Sequence, residues 1–228
     1  MRRTSMQLAA AVLASGLAVA ACGSIKMGAA AITGQQRISS ATLSDQVASL
    51  TTAYQADNRK GIKPQRAVTQ MPQQVLTWLI TFRIYDELAA QHGISVTPAA
   101  VQSQLNALAA QARQQKVSTA TYVSAAGAVP PDLVPQIGRY FAILSAFQRR
   151  LDGGKPPTAP ARQQALQNRI SHAQCLAAKN LGITVNPQFG QFDYTTFSVV
   201  PAPSQLAASP SPSPSASASA KPRLTPPC

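Results

Sequence analysis

Apolar positions recur at helical spacing along most of this chain. Leu43, Val47, Leu50 and Tyr54 follow one another at intervals of four, three and four, which predicts a helix over about 42–57. Thr42, with Asp45 three residues on, reads as its N-cap and capping acid. From Val75 to Ala90 the apolar residues run nearly all round: Val75, Leu76, Trp78, Leu79, Ile80, Phe82, Ile84, Tyr85 and Leu88. A helix with no polar face is a central, buried one. Thr77, Thr81 and Arg83 make it too polar, and its length too short, for a membrane span. Pro72 suits its first turn and Gly93 its end. Thr97-Pro98 opens a helix to about 115, with Val101, Leu105, Leu108 and Ala112 inward.

Ser118 caps a short helix, and Pro130-Pro131-Asp132 starts a longer one. The longer one carries Leu133, Ile137, Tyr140, Phe141, Leu144, Phe147 and Leu151 on one face. Gly153-Gly154 breaks the chain before a last helix of about 160–180, ended by Gly182. Strand composition is confined to the ends of this series. Ala29 to Ile38 reads as a strand, a turn at Gly34-Gln35 and a return, while Ile183–Val185 and Phe192–Val200 are β-rich. The fold class is therefore mainly α: five to six helices with a small terminal β pairing. Ile32 and Val185 are each too short to stand as strands alone, and pairing them would close the domain.

Composition sets the boundaries. All the aromatic residues lie between Tyr54 and Phe197. Beyond residue 200 the chain turns to Pro, Ser and Ala, with Ser-Pro-Ser-Pro-Ser-Pro and Ser-Ala-Ser-Ala-Ser-Ala runs that cannot bury enough apolar surface to offset their conformational entropy. Residues 201–228 are expected to be a disordered tail and 29–200 one globular domain. Serine and threonine there could carry sugar in an exported protein.

At the other end, Arg2 and Arg3 precede an apolar stretch from about Leu8 to Ala21, shorter than the ~20 residues of a permanent span. It closes Leu17-Ala18-Val19-Ala20-Ala21-Cys22. This order resembles a bacterial lipoprotein signal peptide with its lipobox. The resemblance implies that residues 1–21 are removed, that Cys22 carries a diacylglyceryl group on its sulfur, and that 22–28 is a tether. The protein would then sit on the extracytoplasmic face of the cell membrane, held by two acyl chains. An ordinary secretory signal cut after Ala-x-Ala is the alternative. The remaining Cys175 and Cys228 are open to two readings in an exported chain, a disulfide or a buried small residue plus a terminal thiol.

The formal net charge is +13, falling to +11 once Arg2 and Arg3 go with residues 1–21. Such an excess favours anionic partners. No nucleic-acid-binding motif accompanies it, so acidic wall polymers or lipid head groups, and not nucleic acid, are the expected class. Seven acids, two histidines and no Gly-x-Ser-x-Gly leave little from which to build a hydrolytic site. No phosphate-binding loop or metal-ligand spacing is present, so no enzyme activity and no cofactor are expected. The basic loop Arg59, Lys60, Lys63 and Arg66 reads as a solvated turn or as a contact to an anionic surface.

Three stretches resemble the N-terminal chaperone domain of SurA-type and PrsA-type foldases. Ala31-Ile32-Thr33-Gly34 to Asp45 is similar to the family's opening strand, turn and helix. Val75-Leu76 to Ala90-Gln91-His92-Gly93-Ile94-Ser95-Val96-Thr97-Pro98 is similar to its buried helix and the start of the next. Val185-Asn186-Pro187-Gln188-Phe189-Gly190-Gln191-Phe192-Asp193 resembles the C-terminal motif of actinobacterial lipoproteins with such a domain. In full-length foldases a parvulin prolyl-isomerase domain separates the last two helices. Here only Asp152 to Ala159 lies between them, so the resemblance implies the chaperone domain without the isomerase. It also implies binding of unfolded or partly folded exported proteins in a groove between helices. Trp78, Phe82, Tyr85, Tyr140, Phe141 and Phe147 are the candidate peptide-binding residues, each also readable as core. A non-catalytic accessory lipoprotein that contacts an exported partner or anionic wall material is the rival reading.

Overall fold

The structure is a computed structural model that describes residues 28–66 and 68–202. The expected signal segment, Cys22, most of the expected tether and the expected tail from residue 203 lie outside the described residues. Ala29–Thr33 (β1) and Gln36–Ser39 (β2) form an antiparallel hairpin. Its turn passes through Gly34 at φ +61°, a left-handed conformation that glycine adopts without strain.

Six α-helices follow: Ser40–Asn58 (α1), Met71–Gln91 (α2), Pro98–Gln114 (α3), Thr119–Gly127 (α4), Val134–Asp152 (α5) and Pro160–Leu181 (α6). Thr184–Val185 (β3) then pairs antiparallel with the free edge of β1, giving the order β2-β1-β3. The register is Ala31 opposite Val185 and Ile32 opposite Thr184. The expected meeting of Ile32 with Val185 is thus correct in place and one residue out in register. That slip matters, because it puts Ala31 and Val185 inward and leaves Ile32 half-exposed.

Side-chain chemistry explains most helix ends. Thr97 and Ser118 accept from the third backbone N–H beyond them at 3.2 and 3.1 Å, as expected of N-caps. At α1 the cap is Ser39 and not Thr42: Ser39 Oγ accepts from Thr42 N at 2.9 Å. Ser39 ends β2 in extended conformation, so the helix starts directly from the strand and Thr42 falls inside the first turn. Gly153 and Gly182 close α5 and α6 with left-handed φ. The helix expected from Pro130 begins instead as a single 3-10 turn over Pro131–Leu133, which bends the chain before α5.

The all-round apolar α2 is central. Val75, Leu76, Ile80, Ile84 and Leu88 have no exposed surface, and the helix packs against α1, α5, α6, β1 and the last strand, Ser198–Val200. A smaller core of Leu108, Val123, Val129, Leu133 and Ile137 joins α3, α4 and the start of α5. There α3 approaches α5 at Gly138, where a Cβ would stand 2.7 Å from Leu105 Cγ. Among the described residues no helix is long and apolar enough to cross a membrane. Cys175 is fully buried and disulfide-bonded, and its partner lies outside the described residues.

The β-rich Phe192–Val200 segment forms a hairpin of Gln191–Asp193 (β4) and Ser198–Val200 (β5). The turn is made by Asp193. Its Oδ1 accepts from Thr195 N at 2.8 Å and Thr195 Oγ1 at 2.7 Å, and Oδ2 accepts from Thr196 Oγ1 at 2.9 Å. These bonds to the ionised form hold the Asp193 carboxyl below its ordinary pKa. Phe197 completes the turn at φ +50°.

Candidate functional site

The chain that follows β3 is tied back to β1 by one side chain. Asn186 N donates to Ala30 O at 2.9 Å, and Asn186 Nδ2 donates to Ala29 O at 3.1 Å. Asn186 Oδ1 accepts from Gln188 N at 3.1 Å, and Phe189 N donates to Asn186 O at 2.9 Å. The tight turn ends at Gly190, φ +127°, where a Cβ would sit 2.2 Å from Val200 O. This geometry accounts for Asn, Pro and Gly at 186, 187 and 190. Their task is to aim the β4–β5 hairpin at α2, where Val199 N donates to Thr77 Oγ1 at 2.9 Å.

Between β5 and the first half of α2 lies a hollow of about 480 Å³. Trp78, Phe197 and Val199 give it an apolar lining, with Gln70, Gln73, Gln74, Thr196 and Arg66 also around it. Gln73 Oε1 is buried without a hydrogen-bond partner, an acceptor left unsatisfied beside an apolar surface. Arg66 also acts on Tyr54: burial raises that phenol's pKa, and the Arg66 charge opposes the rise. Tyr54 Oη donates to Ser124 O at 3.2 Å, so its role is to join α1 to α4.

A string of rings leads away from the hollow. Trp78 lies 5.9 Å from Phe82, tilted by 31°, and meets Tyr140 edge-on at 6.0 Å. Tyr140 in turn lies 4.9 Å from Phe141 and 4.5 Å from Tyr85. Trp78 is fixed by its Nε1, which donates to Gly127 O at the end of α4 at 2.8 Å. Trp78, Phe82, Tyr140 and Phe141 are half-buried. The other two candidates are core residues: Tyr85 is 4% exposed and Phe147 1%. Both belong to the main core around α2, whereas Trp78, Phe82 and Phe141 border the smaller core. Burial raises the Tyr85 pKa strongly, and its hydroxyl shares a hydrogen bond with Tyr140. Phe147 packs on the His92 ring at 4.7 Å.

The model of the family described as the SurA-like N-terminal domain matches residues 1–128. The chain belongs to that family. No curated protein and no solved structure matches the chain. The matched range of the SurA-like domain runs through β1 to α4 and so contains Trp78, Phe82 and one side of the hollow. The other side, β5, and the rings of Tyr140 and Phe141 lie beyond it.

The strand character of residues 198–200 was legible, but the reversal that makes them a wall of the hollow was not. Phe192 to Val200 is uniformly β-rich, so nothing in its hydropathy marks a reversal. The available signal was Asp193 followed two and three residues on by Thr195 and Thr196, a side-chain-made turn.

Proposed function

We propose that this protein is a lipid-anchored, extracytoplasmic chaperone-like protein that holds unfolded or partly folded exported polypeptides. It does so passively, without nucleotide and without prolyl isomerase activity. One observation carries the reading: half-buried aromatic rings run from the Trp78 hollow along the α2–α5 junction. An unfolded segment supplies apolar side chains, which gain by leaving water, and backbone N–H donors. The hollow offers Trp78, Phe197 and Val199 to the first and the exposed side chains of Gln70 and Thr196 to the second. Membership of the SurA-like family favours polypeptide as the ligand. The short connection between α5 and α6, residues 153–159, supports the absence of an isomerase domain at that place.

The purified protein should suppress aggregation of a reduced or heat-unfolded test protein at near-stoichiometric ratio. Protection should persist in high salt, because apolar contact is not screened. Phe82→Ala combined with Phe141→Ala should raise the concentration needed for half-protection several-fold while the helical circular dichroism spectrum is retained. Trp78→Phe tests the hollow with the least change of volume. Protection that vanishes in salt, or that survives all three substitutions, would overturn this reading. A prolyl-peptide assay should show no rate above buffer, and a rate proportional to protein through further purification would overturn the isomerase part.

A further inference from the structure

The first half of α6 has almost no core to serve. Between Pro160 and Arg169 only Leu166 is better than exposed, and Ala161–Ala165 and Gln167–Arg169 face solvent on all sides. Leu166 alone gives this stretch a packing contact with the core, so packing explains little of its length. Its company is cationic. On one side of the Pro156-Pro157 connection, Lys155, Arg162 and Arg169 surround a hollow of about 380 Å³. On the other, Arg149 and the amides of Gln148, Gln163 and Gln167 surround one of about 680 Å³. The two hollows share Asp152, Pro156, Pro157 and Leu166, so they adjoin across the α5–α6 connection and are together called the trough.

Four cations thus stand around a single carboxylate. Arg149 donates to Ser145 Oγ and Arg169 to Leu151 O, both neutral acceptors. Asp152 Oδ1 accepts from Gly154 N at 2.8 Å. Among the described residues the ion pair present is Arg139 with Asp86, and none of the four trough cations takes part in one. Their charge is therefore available to a ligand.

We infer that this trough binds a linear polyol phosphate, a polymer in which phosphodiesters alternate with hydroxyl-bearing carbons. Arginine and lysine meet the phosphates. The amides of Gln148 and Gln167, each both donor and acceptor, meet the hydroxyls, while Gln163 Nε2 already donates to Pro157 O at 3.1 Å. Two adjoining hollows follow the line of one extended chain better than the plane of a bilayer, which favours a polymer over a lipid surface. This inference is independent of client binding, and the two sites share no residue.

The test is titration of the purified full chain with polyglycerol phosphate at low and at physiological salt. The trough variant is Arg149→Gln, Lys155→Gln and Arg162→Gln together. The control is Arg59→Gln, Lys60→Gln and Lys63→Gln, which removes the same charge from the exposed loop after α1. Loss of three partly screened ionic contacts should weaken binding about tenfold or more in the trough variant. The control should weaken it less than about threefold, through the long-range field alone. Equal weakening in both would show that only net charge matters and would overturn the site. Binding to vesicles of anionic phosphatidylglycerol without binding to the polymer would also overturn it.

Discussion

Replacing Asn186 by alanine removes two hydrogen bonds and leaves the backbone bond from Asn186 N to Ala30 O in place. The two ends are unequal. Nδ2 donates to the carbonyl of Ala29, a residue with no exposed surface, so no water replaces the lost donor. Leaving such an acceptor unsatisfied costs about 1–3 kcal/mol. Oδ1 accepts from Gln188 N, which is exposed, and loss there costs about 0.5 kcal/mol because water substitutes. Together the change should be roughly 2–3 kcal/mol. For a domain of this size that corresponds to a fall in Tm of about 5–10 °C. Thermal unfolding followed by circular dichroism measures it. Asn186→Asp sharpens the test. At neutral pH it keeps the acceptor but sets a carboxylate against the Ala29 carbonyl, so it should be no better than alanine. Below the carboxyl range the protonated group can donate again, and part of the loss should return. An alanine variant within about 0.5 kcal/mol of the parent, or an aspartate variant equal to the parent at neutral pH, would refute the clasp.

Gly190→Ala should destabilise by about 2 kcal/mol or more, since the methyl meets Val200 O at 2.2 Å and φ +127° is not open to alanine; an unchanged melting curve would count against the described turn. Asp193→Asn should lower stability at neutral pH, and the difference should depend on pH. The folded carboxyl pKa is depressed, so its contribution is complete above the unfolded value of about 3.9 and is lost as pH falls through the lower folded one; a gap that widens on acidification would reverse that sign. Mass spectrometry of the native protein should find a diacylglyceryl group on Cys22 as the first residue. Non-reducing peptide maps should then find the Cys175 peptide cross-linked to the peptide ending in Cys228, the cysteine that lipidation leaves available. An unlipidated N-terminus, or a Cys175 thiol that alkylates without reduction, would defeat those readings in turn.

The helices were legible because their ends are written in side chains. Thr97, Ser118, Gly153 and Gly182 act through local hydrogen bonds and backbone freedom, which sequence carries directly. Ser39 was harder, because a residue that both ends a strand and caps a helix carries no mark of its second role. The β1–β3 pairing was legible as a need, two short strands without partners, but its register depends on the packing of Ala29–Ala31, which pattern does not encode. Among the candidate rings the obstacle was different. On a helix apolar all round, Tyr85 and Trp78 are two turns apart and look alike. Burial of one and half-exposure of the other is decided by what α5 and α6 cover. The cationic trough was invisible for a similar reason, since Arg149, Lys155, Arg162 and Arg169 belong to two helices and a turn and converge only in the fold.

Stability and proposed function meet at the same segment. The Trp78 hollow exists only while β5 lies on α2, and β5 is positioned by the turn that Asn186 and Gly190 make after β3. The direct attachment of β5 to α2 includes the bond from Val199 N to Thr77 Oγ1, with Val199 packed beneath. The six helices do not need this hairpin to keep their own backbone bonds. The C-terminal return is held to the helical core through Ile183, Val185 and Val199, so a weakened turn after β3 should let it open at a lower free energy than the helices. It follows that Asn186→Ala should impair client protection at temperatures well below its own melting point, where the helices are intact. Hydrogen exchange should show faster exchange at β3–β5 and unchanged protection in α2. If protection instead stays at the parent level until the helices melt, the hollow is not the site, and the rings of Phe82, Tyr140 and Phe141 must act without it.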